Sequence, residues 1–321
     1  MTVRILRGDC REVLKTLADE SVHCVVTSPP YWGLRDYGHE GQLGLERTPY
    51  EYVENLVAVF EDVRRVLRAD GTLWLNLGDC YATGAGKVGA HPGGGEQGSK
   101  WAGRPARGST GPMTQPNRLP IEGLKPKDLV MIPARVALAL QAAGWWVRQD
   151  LIWAKPNPMP ESVRDRCTKA HEYLFLLSKS ERYYFDAEAI AEPVTEATLK
   201  DRVDTGKVRP DRGFPGAPSA GNGRLGDKET RNKRSVWTVT TQPFKEAHFA
   251  TFPPALIEPC ILAGCPAGGV VLDPFGGAGT TGLVADRLGR HAILIELNPS
   301  YADMAQRRIS GDSPLFAEVA A

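Results

Sequence analysis

The sequence predicts an α/β protein with a mainly parallel β-sheet that is covered by helices on both faces. Two observations predict this class. Short apolar runs alternate with segments of helical periodicity, and each run is apolar for almost its whole length, as in strands that are buried on both faces. The chain has 321 residues, of which 42% are hydrophobic and 24% are charged, which is typical of a globular protein with one large domain or two smaller ones.

Seven apolar runs are predicted to be the strands of this sheet. They span residues 3–6, 22–26, 72–77, 146–153, 172–177, 269–273 and 292–297. Residues 11–18 and 52–67 place apolar side chains three and four positions apart, which predicts amphipathic helices between the first three strands.

Two stretches interrupt this alternation and are rich in basic residues. Residues 84–127 carry many glycines and prolines with seven Lys/Arg against two Asp/Glu, and residues 200–235 carry ten Lys/Arg against five Asp/Glu. Because the net charge is only +1, attraction to a polyanion would have to come from such local patches. Each stretch is either a solvated loop or a surface for a phosphate backbone.

The sequence does not indicate a membrane protein or a secreted protein. No apolar run approaches the roughly 18 residues of a spanning helix. Met1 is followed by strand-like sequence rather than by a signal peptide. The six cysteines are spread along the chain without a CxxC pair, which favours reduced thiols in a cytoplasmic protein over disulfides or a metal site.

The segment DPFGGAGTTG (273–282) has the composition of a ligand-binding turn. It follows a buried strand and leads into a helical segment. Glycines allow the backbone to approach a ligand closely, and the start of a helix is electropositive. The next strand ends in Glu296, where a carboxylate can accept hydrogen bonds from ribose hydroxyls.

A nicotinamide-dependent oxidoreductase is a competing interpretation of the same segment. Residues 277–282 match GxGxxG, and Glu296 follows at about the spacing of a dinucleotide-binding acid. Only 25 residues follow Glu296, however, which is too few for a second nucleotide-binding half. We therefore expect the C-terminal pair to supply the first two strands of the sheet and the earlier runs to supply the rest.

Four polar residues lie at or just past the ends of predicted strands: Asp9, Ser28, Asp273 and Glu296. In open α/β sheets, ligands bind outside the carboxyl ends of the strands. A single ligand site at that edge explains the four polar residues more simply than four unrelated roles do.

The segments DPFGGAGTTG and TSPPYW (27–32) together resemble the S-adenosylmethionine-dependent amino-methyltransferases of DNA. The circularly permuted order, with SPPY first and FxGxG last, resembles their beta class. Further matches are GDCREVLKTLADESVHCVVTSPPY, LIWAKPNPMPESVRDRCTKAHEYLFLLSK, HFATFPPALIEP and IELNPSY. The resemblance covers most of the chain outside the two basic stretches. It implies a Rossmann-like, doubly wound, seven-stranded methyltransferase sheet with an inserted target-recognition region.

The resemblance also implies a cofactor, S-adenosyl-L-methionine, and residues that hold it. Glu296 would bind the ribose, and Asp9 would lie near the adenine amino group, although Asp9 could instead cap the helix that begins near Arg11. His248 and Phe252 would close over the methionine portion, or else be a surface histidine and a core phenylalanine. The residues that would line the methionine and adenosine side are Asp273, Phe275, Gly277, Gly279 and Thr280.

The chemistry explains why two prolines would end a strand here. An exocyclic amine is a poor nucleophile because its lone pair is delocalised into the ring. The Ser28 hydroxyl and the Pro29 carbonyl could accept its two N–H groups, while Pro29 and Pro30 contribute no competing donor. Tyr31 offers a face on which a flipped base could stack, with Trp32 as a less certain second wall. A Pro-Pro turn capped by a core aromatic is the plain structural alternative, and Thr27 has no assigned role.

SPPY in this family is associated mostly with N4 of cytosine, and DPPY or NPPY mostly with N6 of adenine. We therefore predict a site-specific DNA cytosine-N4 methyltransferase, with adenine N6 as the alternative. A non-catalytic DNA-binding descendant of the family is a further alternative. Cytosine C5 chemistry is disfavoured because it needs a nucleophilic cysteine, and Cys260 lies in an apolar helical run.

The predicted organisation divides one methyltransferase domain around an insertion. Residues 1–185 would be its catalytic part, 186–242 the target-recognition region, 243–310 the cofactor-binding part and 311–321 a tail without a recognisable signal. Double-stranded DNA with base flipping is the expected partner. The resemblance leaves open a homodimer and a cognate restriction endonuclease.

Overall fold

The computed structural model of the chain describes residues 1–34, 37, 39, 41–82, 116–118, 120–194, 230–242, 251–312 and 318–320. Most of the two basic stretches and His248 lie outside these described residues. The chain divides into two compact units, one of residues 1–185 and 235–321 and one of residues 186–234.

The larger unit contains alternating strands and helices, and the smaller unit contains two short strands. In chain order, the elements are β1 Thr2–Arg7, α1 Cys10–Val13, β2 Val22–Thr27, α2 Pro49–Val66, β3 Leu67–Leu77, α3 Ile132–Ala142, β4 Trp146–Ala154, β5 His171–Ser178, β6 Glu192–Pro193, β7 Thr230–Arg231, β8 Val236–Thr238, α4 Pro254–Gly264, β9 Val270–Asp273, α5 Thr280–Arg287, β10 His291–Glu296, α6 Pro299–Asp312 and β11 Glu318–Ala320.

Among the described residues, the larger unit has one nine-stranded sheet in the order β11-β1-β10-β9-β2-β3-β5-β4-β8. All neighbours are parallel except for β5, which is antiparallel to both β3 and β4. The seven predicted runs all form strands of this sheet, which confirms the predicted α/β class. The two additional strands, β8 and β11, are three residues long and lie at the edges. The tail therefore contributes a strand that its sequence did not indicate.

The C-terminal pair β9 and β10 lies inside the sheet, between β1 and β2, and the earlier runs complete the sheet on both sides, as expected. The chain passes from β9 through α5 to β10, which lies on the β1 side of β9. It passes from β2 through α2 to β3, which lies on the opposite side of β2, away from β9. The strand order therefore reverses between β9 and β2. In open α/β sheets, this switch point is where ligands bind.

Helices cover both faces of the sheet, so the fold is doubly wound. Val25 and Leu272 belong to the core cluster that includes the buried faces of α1, α2 and α3. On the opposite face, Thr72 of β3 approaches the Gly264 carbonyl at the end of α4, and α5 and α6 pack against β1 and β10. Strands that are covered on both sides need apolar residues at successive positions, which explains their nearly continuous apolar sequence.

The smaller unit has a short antiparallel ladder between β6 and β7. Its Glu192 carboxylate lies 3.6 Å from Arg231, 3.7 Å from Lys233 and 3.1 Å from Arg234. Residues 195–229 of this unit lie outside the described part of the chain.

All six cysteines fall within the described residues and are free thiols, five of them buried and Cys167 exposed. Within the same residues, no helix is both long and apolar enough to cross a membrane.

Candidate active site

The carboxylate of Asp273 joins the two strands on either side of the switch point. The side chain is only 1% exposed. Its Oδ1 accepts hydrogen bonds from the Thr27 hydroxyl at 2.6 Å and the Phe275 amide at 3.0 Å, and its Oδ2 accepts one from the Thr281 hydroxyl at 2.6 Å. Thr27 ends β2 and Asp273 ends β9, so the bond ties SPPY, which starts at the next residue, to the glycine-rich turn.

Burial raises the pKa of Asp273 to about 6, because the charged form has lost its water. The hydrogen bonds from Thr27, Thr281 and the Phe275 amide act in the opposite direction. Asp273 is thus held by the protein on both carboxylate oxygens, which gives it a structural role.

The Glu296 carboxylate is held beside the same turn by two backbone amides. Its Oε2 accepts from the Gly277 amide at 2.7 Å, and its Oε1 accepts from the Asn298 amide at 2.8 Å. Burial raises the pKa of Glu296. Gly277 has a left-handed backbone (φ +51°), and a β-carbon placed there would meet nothing closer than the Phe275 carbonyl at 3.8 Å. The backbone at Gly277 therefore borders open space beside a carboxylate.

Gly279 and Thr280, in contrast, are used for packing inside the protein. Gly279 has φ +77°, and a β-carbon there would lie 2.7 Å from that of Ala305 on α6. The buried Thr280 hydroxyl accepts a hydrogen bond from Arg308 at 2.9 Å, and Arg308 also donates to the Ala278 carbonyl at 3.0 Å. These contacts anchor the start of α5 to α6.

Asp9 caps α1, as one of the two sequence interpretations proposed. Its Oδ1 accepts from the Arg11 amide at 2.9 Å, and its carboxylate forms an ion pair with the Arg11 guanidinium. That guanidinium holds the pKa of Asp9 below its usual range. The preceding Gly8 donates its amide to the Glu296 carbonyl at 2.9 Å, so Asp9 lies at the same edge of the sheet as Glu296.

The SPPY segment contacts a polar cluster formed by β3 and β5. The Ser28 hydroxyl lies 3.3 Å from both the Tyr31 hydroxyl and Asn76 Oδ1. The Tyr31 hydroxyl donates to Glu172 Oε2 at 2.7 Å and lies 3.0 Å from Asn76 Oδ1. The Glu172 carboxylate also forms an ion pair with Lys155 of β4.

The two prolines differ in what their carbonyls contact. The Pro30 carbonyl accepts from the Tyr52 hydroxyl at 2.7 Å. None of the described residues donates a hydrogen bond to the Pro29 carbonyl. Trp32 is 1% exposed and donates its indole N–H to the Glu46 carbonyl at 2.9 Å, so it is a core residue and not a second wall.

Phe252 is partly buried in the segment directly before α4, and the neighbouring His248 lies outside the described residues. Phe275 is likewise partly buried, on the turn after β9. The structure thus brings Asp9, Ser28, Asp273 and Glu296 to one edge of four adjacent parallel strands, β1, β10, β9 and β2.

Comparison with known proteins now identifies the family. A family model described as DNA methylase, covering N6 and N4 enzymes, matches residues 22–307. The chain belongs to this DNA methylase family. The membership confirms the resemblance that was drawn from DPFGGAGTTG and TSPPYW.

Several type II methyltransferases are similar to this member of the DNA methylase family over nearly their whole length. M.SmaI of Serratia marcescens is 44% identical, with 95% of this chain and 90% of that protein covered. M.Cfr9I of Citrobacter freundii is 45% identical and M.XycI of Xanthomonas campestris pv. cyanopsidis is 46% identical, each with 99% of this chain and 91% of the relative covered.

Solved structures of DNA methylases share the fold. The cytosine-N4-specific PvuII DNA methyltransferase superposes with a TM-score of 0.60 at 20% identity, covering 96% of this chain and 87% of that one. A Thermus thermophilus protein described as a DNA modification methylase, in complex with S-adenosyl-L-methionine, gives a TM-score of 0.57 at 24% identity, covering 99% and 100%. The Rossmann-like methyltransferase sheet that the sequence predicted is therefore confirmed.

Sequence reasoning about this DNA methylase missed four residues that build the site. They are Thr27 and Thr281, which hold Asp273, and Asn76 and Glu172, which hold Tyr31. Glu172 lies inside the matched segment KAHEYLFLLSK, so the family resemblance contained a signal for it. Asn76 is a polar residue in an otherwise apolar strand, TLWLNL, which was a second signal.

Asp273→Asn should change how stability depends on pH. Because the folded protein binds the Asp273 proton more tightly than the unfolded chain does, stability is greatest with Asp273 protonated and falls as pH rises from its ordinary pKa of 3.8 to about 6. The loss in unfolding free energy is up to about 3 kcal/mol. Urea unfolding from pH 4 to 7 should show a smaller decline for the variant than for the wild type.

The asparagine preserves the shape of Asp273 and can donate to Thr281 while accepting from Thr27. Asp303→Asn, at an exposed carboxylate on α6, controls for the loss of one negative charge. Parallel pH dependences in the wild type and Asp273→Asn would show that the buried carboxylate does not titrate as proposed.

Gly279→Ala should destabilise the fold by roughly 1–3 kcal/mol through its left-handed backbone and its collision with Ala305. Gly277→Ala shares the backbone strain without the collision, so its loss of unfolding free energy should be smaller. Adding Ala305→Gly to Gly279→Ala should recover part of the loss. Equal losses for the two glycine variants, with no recovery, would contradict the packing role of Gly279.

Proposed function

We propose that this protein transfers a methyl group from S-adenosyl-L-methionine to the exocyclic N4 of a cytosine that is flipped out of double-stranded DNA at a defined short sequence. The observation that carries the proposal is the hydrogen bond of 2.6 Å between Thr27 and Asp273. This hydrogen bond holds the SPPY segment next to the glycine-rich turn at the switch point of the sheet. A base held by SPPY can therefore meet a cofactor held by the turn.

The residues at the turn fit the cofactor. Gly277 leaves open space above the backbone, and the Glu296 carboxylate beside it can accept hydrogen bonds from ribose hydroxyls. Phe275 provides partly exposed apolar surface on the same turn. The cofactor, when bound, supplies a methyl group that is electrophilic because of the adjacent positive sulfur.

Acidic groups around this pocket suit a cationic ligand. Asp273, Glu296 and Asp9 all lie at the carboxyl edge, and we assign Asp9 to the adenine side, where it also caps α1. Phe252 and His248 are assigned to the segment that closes over the methionine portion. Gly279 and Thr280 support the turn through α6 and Arg308 rather than through contact with the cofactor.

Ser28 is positioned to accept a hydrogen bond from the target amine. The hydrogen of its hydroxyl is directed to Asn76 Oδ1 or to the Tyr31 hydroxyl, each 3.3 Å away. The lone pairs of the Ser28 oxygen are then available for one N–H of the amine, and the Pro29 carbonyl is available for the other. Two acceptors in this arrangement favour a tetrahedral nitrogen with its lone pair directed at the methyl group.

Tyr31 would form the surface on which the flipped base stacks. Its hydroxyl is anchored to Glu172 and Asn76, and its ring lies against the backbone of Gly78. Because the Tyr31 ring is already fixed at its hydroxyl edge and on one face, binding of a base loses little of its conformational entropy. Less of the binding free energy is therefore spent on ordering the ring.

Cytosine is favoured over adenine because the segment is SPPY and not DPPY or NPPY. Residues 186–242 are assigned to most of the target recognition, and residues 84–127 to a further DNA-facing loop, since both are rich in basic residues. The relatives named as type II methyltransferases support a cognate restriction endonuclease as a biological partner.

Purified protein should transfer labelled methyl groups from S-adenosyl-L-methionine to unmodified duplex DNA. Nuclease digestion and mass spectrometry of the product should show N4-methylcytosine. N6-methyladenine as the sole product would reject the cytosine assignment and retain the family activity, whereas no transfer to any duplex DNA would reject both.

Ser28→Ala should lower the rate of methyl transfer on the order of 10²-fold, the scale seen when one oriented hydrogen bond to a reacting group is removed. Cofactor affinity, measured by calorimetry, should hardly change, because Ser28 is assigned to the amine. Ser21→Ala is a matched control, since within the described part of the chain that hydroxyl bonds only the local Ala18 carbonyl, at 2.7 Å. An equal loss of cofactor affinity in Ser28→Ala would show that its role is misassigned.

A further inference from the structure

The hydroxyls of Ser28 and Tyr31 form a hydrogen-bonded chain that ends at the carboxylate of Glu172. The Ser28 oxygen lies 3.3 Å from the Tyr31 hydroxyl, which donates at 2.7 Å to Glu172 Oε2. Glu172 lies near the start of β5, and its side chain is 16% exposed. The chain thus connects the proposed site of the amine to a shielded anionic group.

The direction of these hydrogen bonds follows from Asn76. Its amide nitrogen donates to the Tyr173 carbonyl at 3.0 Å and to Glu172 Oε2 at 3.3 Å, and both of those groups are acceptors. Its Oδ1 must therefore be directed at Ser28 and Tyr31.

The Tyr31 hydroxyl has one hydrogen, and two side chains of the described residues offer it an acceptor. The carboxylate of Glu172 at 2.7 Å is closer than Asn76 Oδ1 at 3.0 Å, and it carries the charge that strengthens a hydrogen bond. The oxygen of Tyr31 is then left to accept from Ser28. When the Ser28 hydrogen is directed at Tyr31 rather than at Asn76 Oδ1, which is also 3.3 Å away, the hydroxyls align from Ser28 to Tyr31 to Glu172. This is the arrangement that a proton transfer in that direction requires.

Lys155 supplies a counter-charge at the far end. It forms an ion pair with Glu172 Oε1, the oxygen that Tyr31 does not contact, and its own side chain is 17% exposed. Its ammonium also lies 4.2 Å from the centre of the Trp153 ring. The carboxylate is therefore held in place on both oxygens, with Oε2 directed at the hydroxyl chain.

We propose that Glu172 receives, through Tyr31 and Ser28, the proton that the target amine loses during methylation. This inference rests on the proposed function. As the new N–C bond forms, the bond between the methyl group and the sulfonium sulfur breaks, the sulfur leaves as a neutral thioether, and positive charge develops on the amine nitrogen. Its N–H bond breaks towards the Ser28 oxygen, the Ser28 proton passes to the Tyr31 oxygen, and the Tyr31 proton passes to Glu172 Oε2.

The step balances without any further reactant. Ser28 and Tyr31 each gain and lose one proton and end neutral, the methylated amine ends neutral, and Glu172 ends as the carboxylic acid. Removing positive charge from the nitrogen as it develops stabilises the transition state, which is the effect of a general base. Glu172 acts through two other groups and is therefore a positioning and proton-accepting residue rather than one that contacts the substrate.

The test measures single-turnover methyl transfer to DNA by the full-length protein and two variants. Glu172→Gln keeps an acceptor for the Tyr31 hydroxyl but cannot take up its proton, and Tyr31→Phe keeps the ring but breaks the chain. Each should slow transfer on the order of 10²-fold. Cofactor affinity should be unchanged in both. The double variant should be no slower than the slower single variant, because both changes interrupt one route.

A solvent isotope measurement separates proton transfer from simple positioning of Tyr31. Wild-type transfer should be slower in heavy water, and the two variants should lose this difference. A merely structural Glu172 would leave the isotope effect in place.

Two controls address the loss of the ion pair. Glu172→Gln combined with Lys155→Met removes the unpaired ammonium and should still be slow; recovery of the wild-type rate would show that charge imbalance, not proton transfer, was the cause. Glu161→Gln breaks a comparable ion pair, with Arg166 at 2.5 Å, without touching Tyr31, and should transfer methyl groups at the wild-type rate.

Wild-type rates in either Glu172→Gln or Tyr31→Phe would overturn the proton route while leaving the proposed function intact. Tyr31→Phe decides the matter alone if Glu172→Gln does not fold, since it leaves the ion pair in place. A wild-type protein that transfers no methyl group to DNA would overturn both the proposed function and this inference.

Discussion

The buried carboxylate of Asp273 is the constraint on which the site depends. Removing a carboxylate from water is costly unless its oxygens are hydrogen-bonded, and here Thr27, Thr281 and the Phe275 amide supply those bonds. One side chain thereby ties β2, β9 and α5 together at the point where the sheet reverses its order. The position of SPPY relative to the glycine-rich turn follows from that connection.

Hydrogen bonds also fix the polar groups on both sides of Asp273. Glu296 is held by two backbone amides and Tyr31 by Asn76 and Glu172, so each group is fixed by partners at neighbouring strand ends. The Pro29 carbonyl, in contrast, accepts no hydrogen bond from the described residues. In the proposed function, this edge complements a cationic methyl donor on one side and an amine with two N–H groups on the other, and the hydrogen bonds that hold it are in place before either ligand binds.

Particular residues show where sequence reasoning reached its limit. Gly277 and Gly279 are equivalent in a GxGxxG pattern, yet one borders open space and the other is filled by Ala305, 26 residues further along the chain. Trp32 follows Tyr31 in sequence but is buried in the core. Each difference depends on partners that are distant in sequence, which local patterns do not encode.

The sequence by itself determined the α/β class, the seven strands, the family and the set of polar residues at the carboxyl edge. Buried strands, glycine-rich turns and the SPPY tetrapeptide each need particular residue types at fixed spacing, and such patterns can be recognised without the fold. Only the tertiary structure decided which of those residues share hydrogen bonds. Thr27 acquires its partner 246 positions away, and Tyr31 acquires Glu172 141 positions away. Hydrogen bonds depend on distances of a few ångströms and on direction, and these are defined only once the strands have paired.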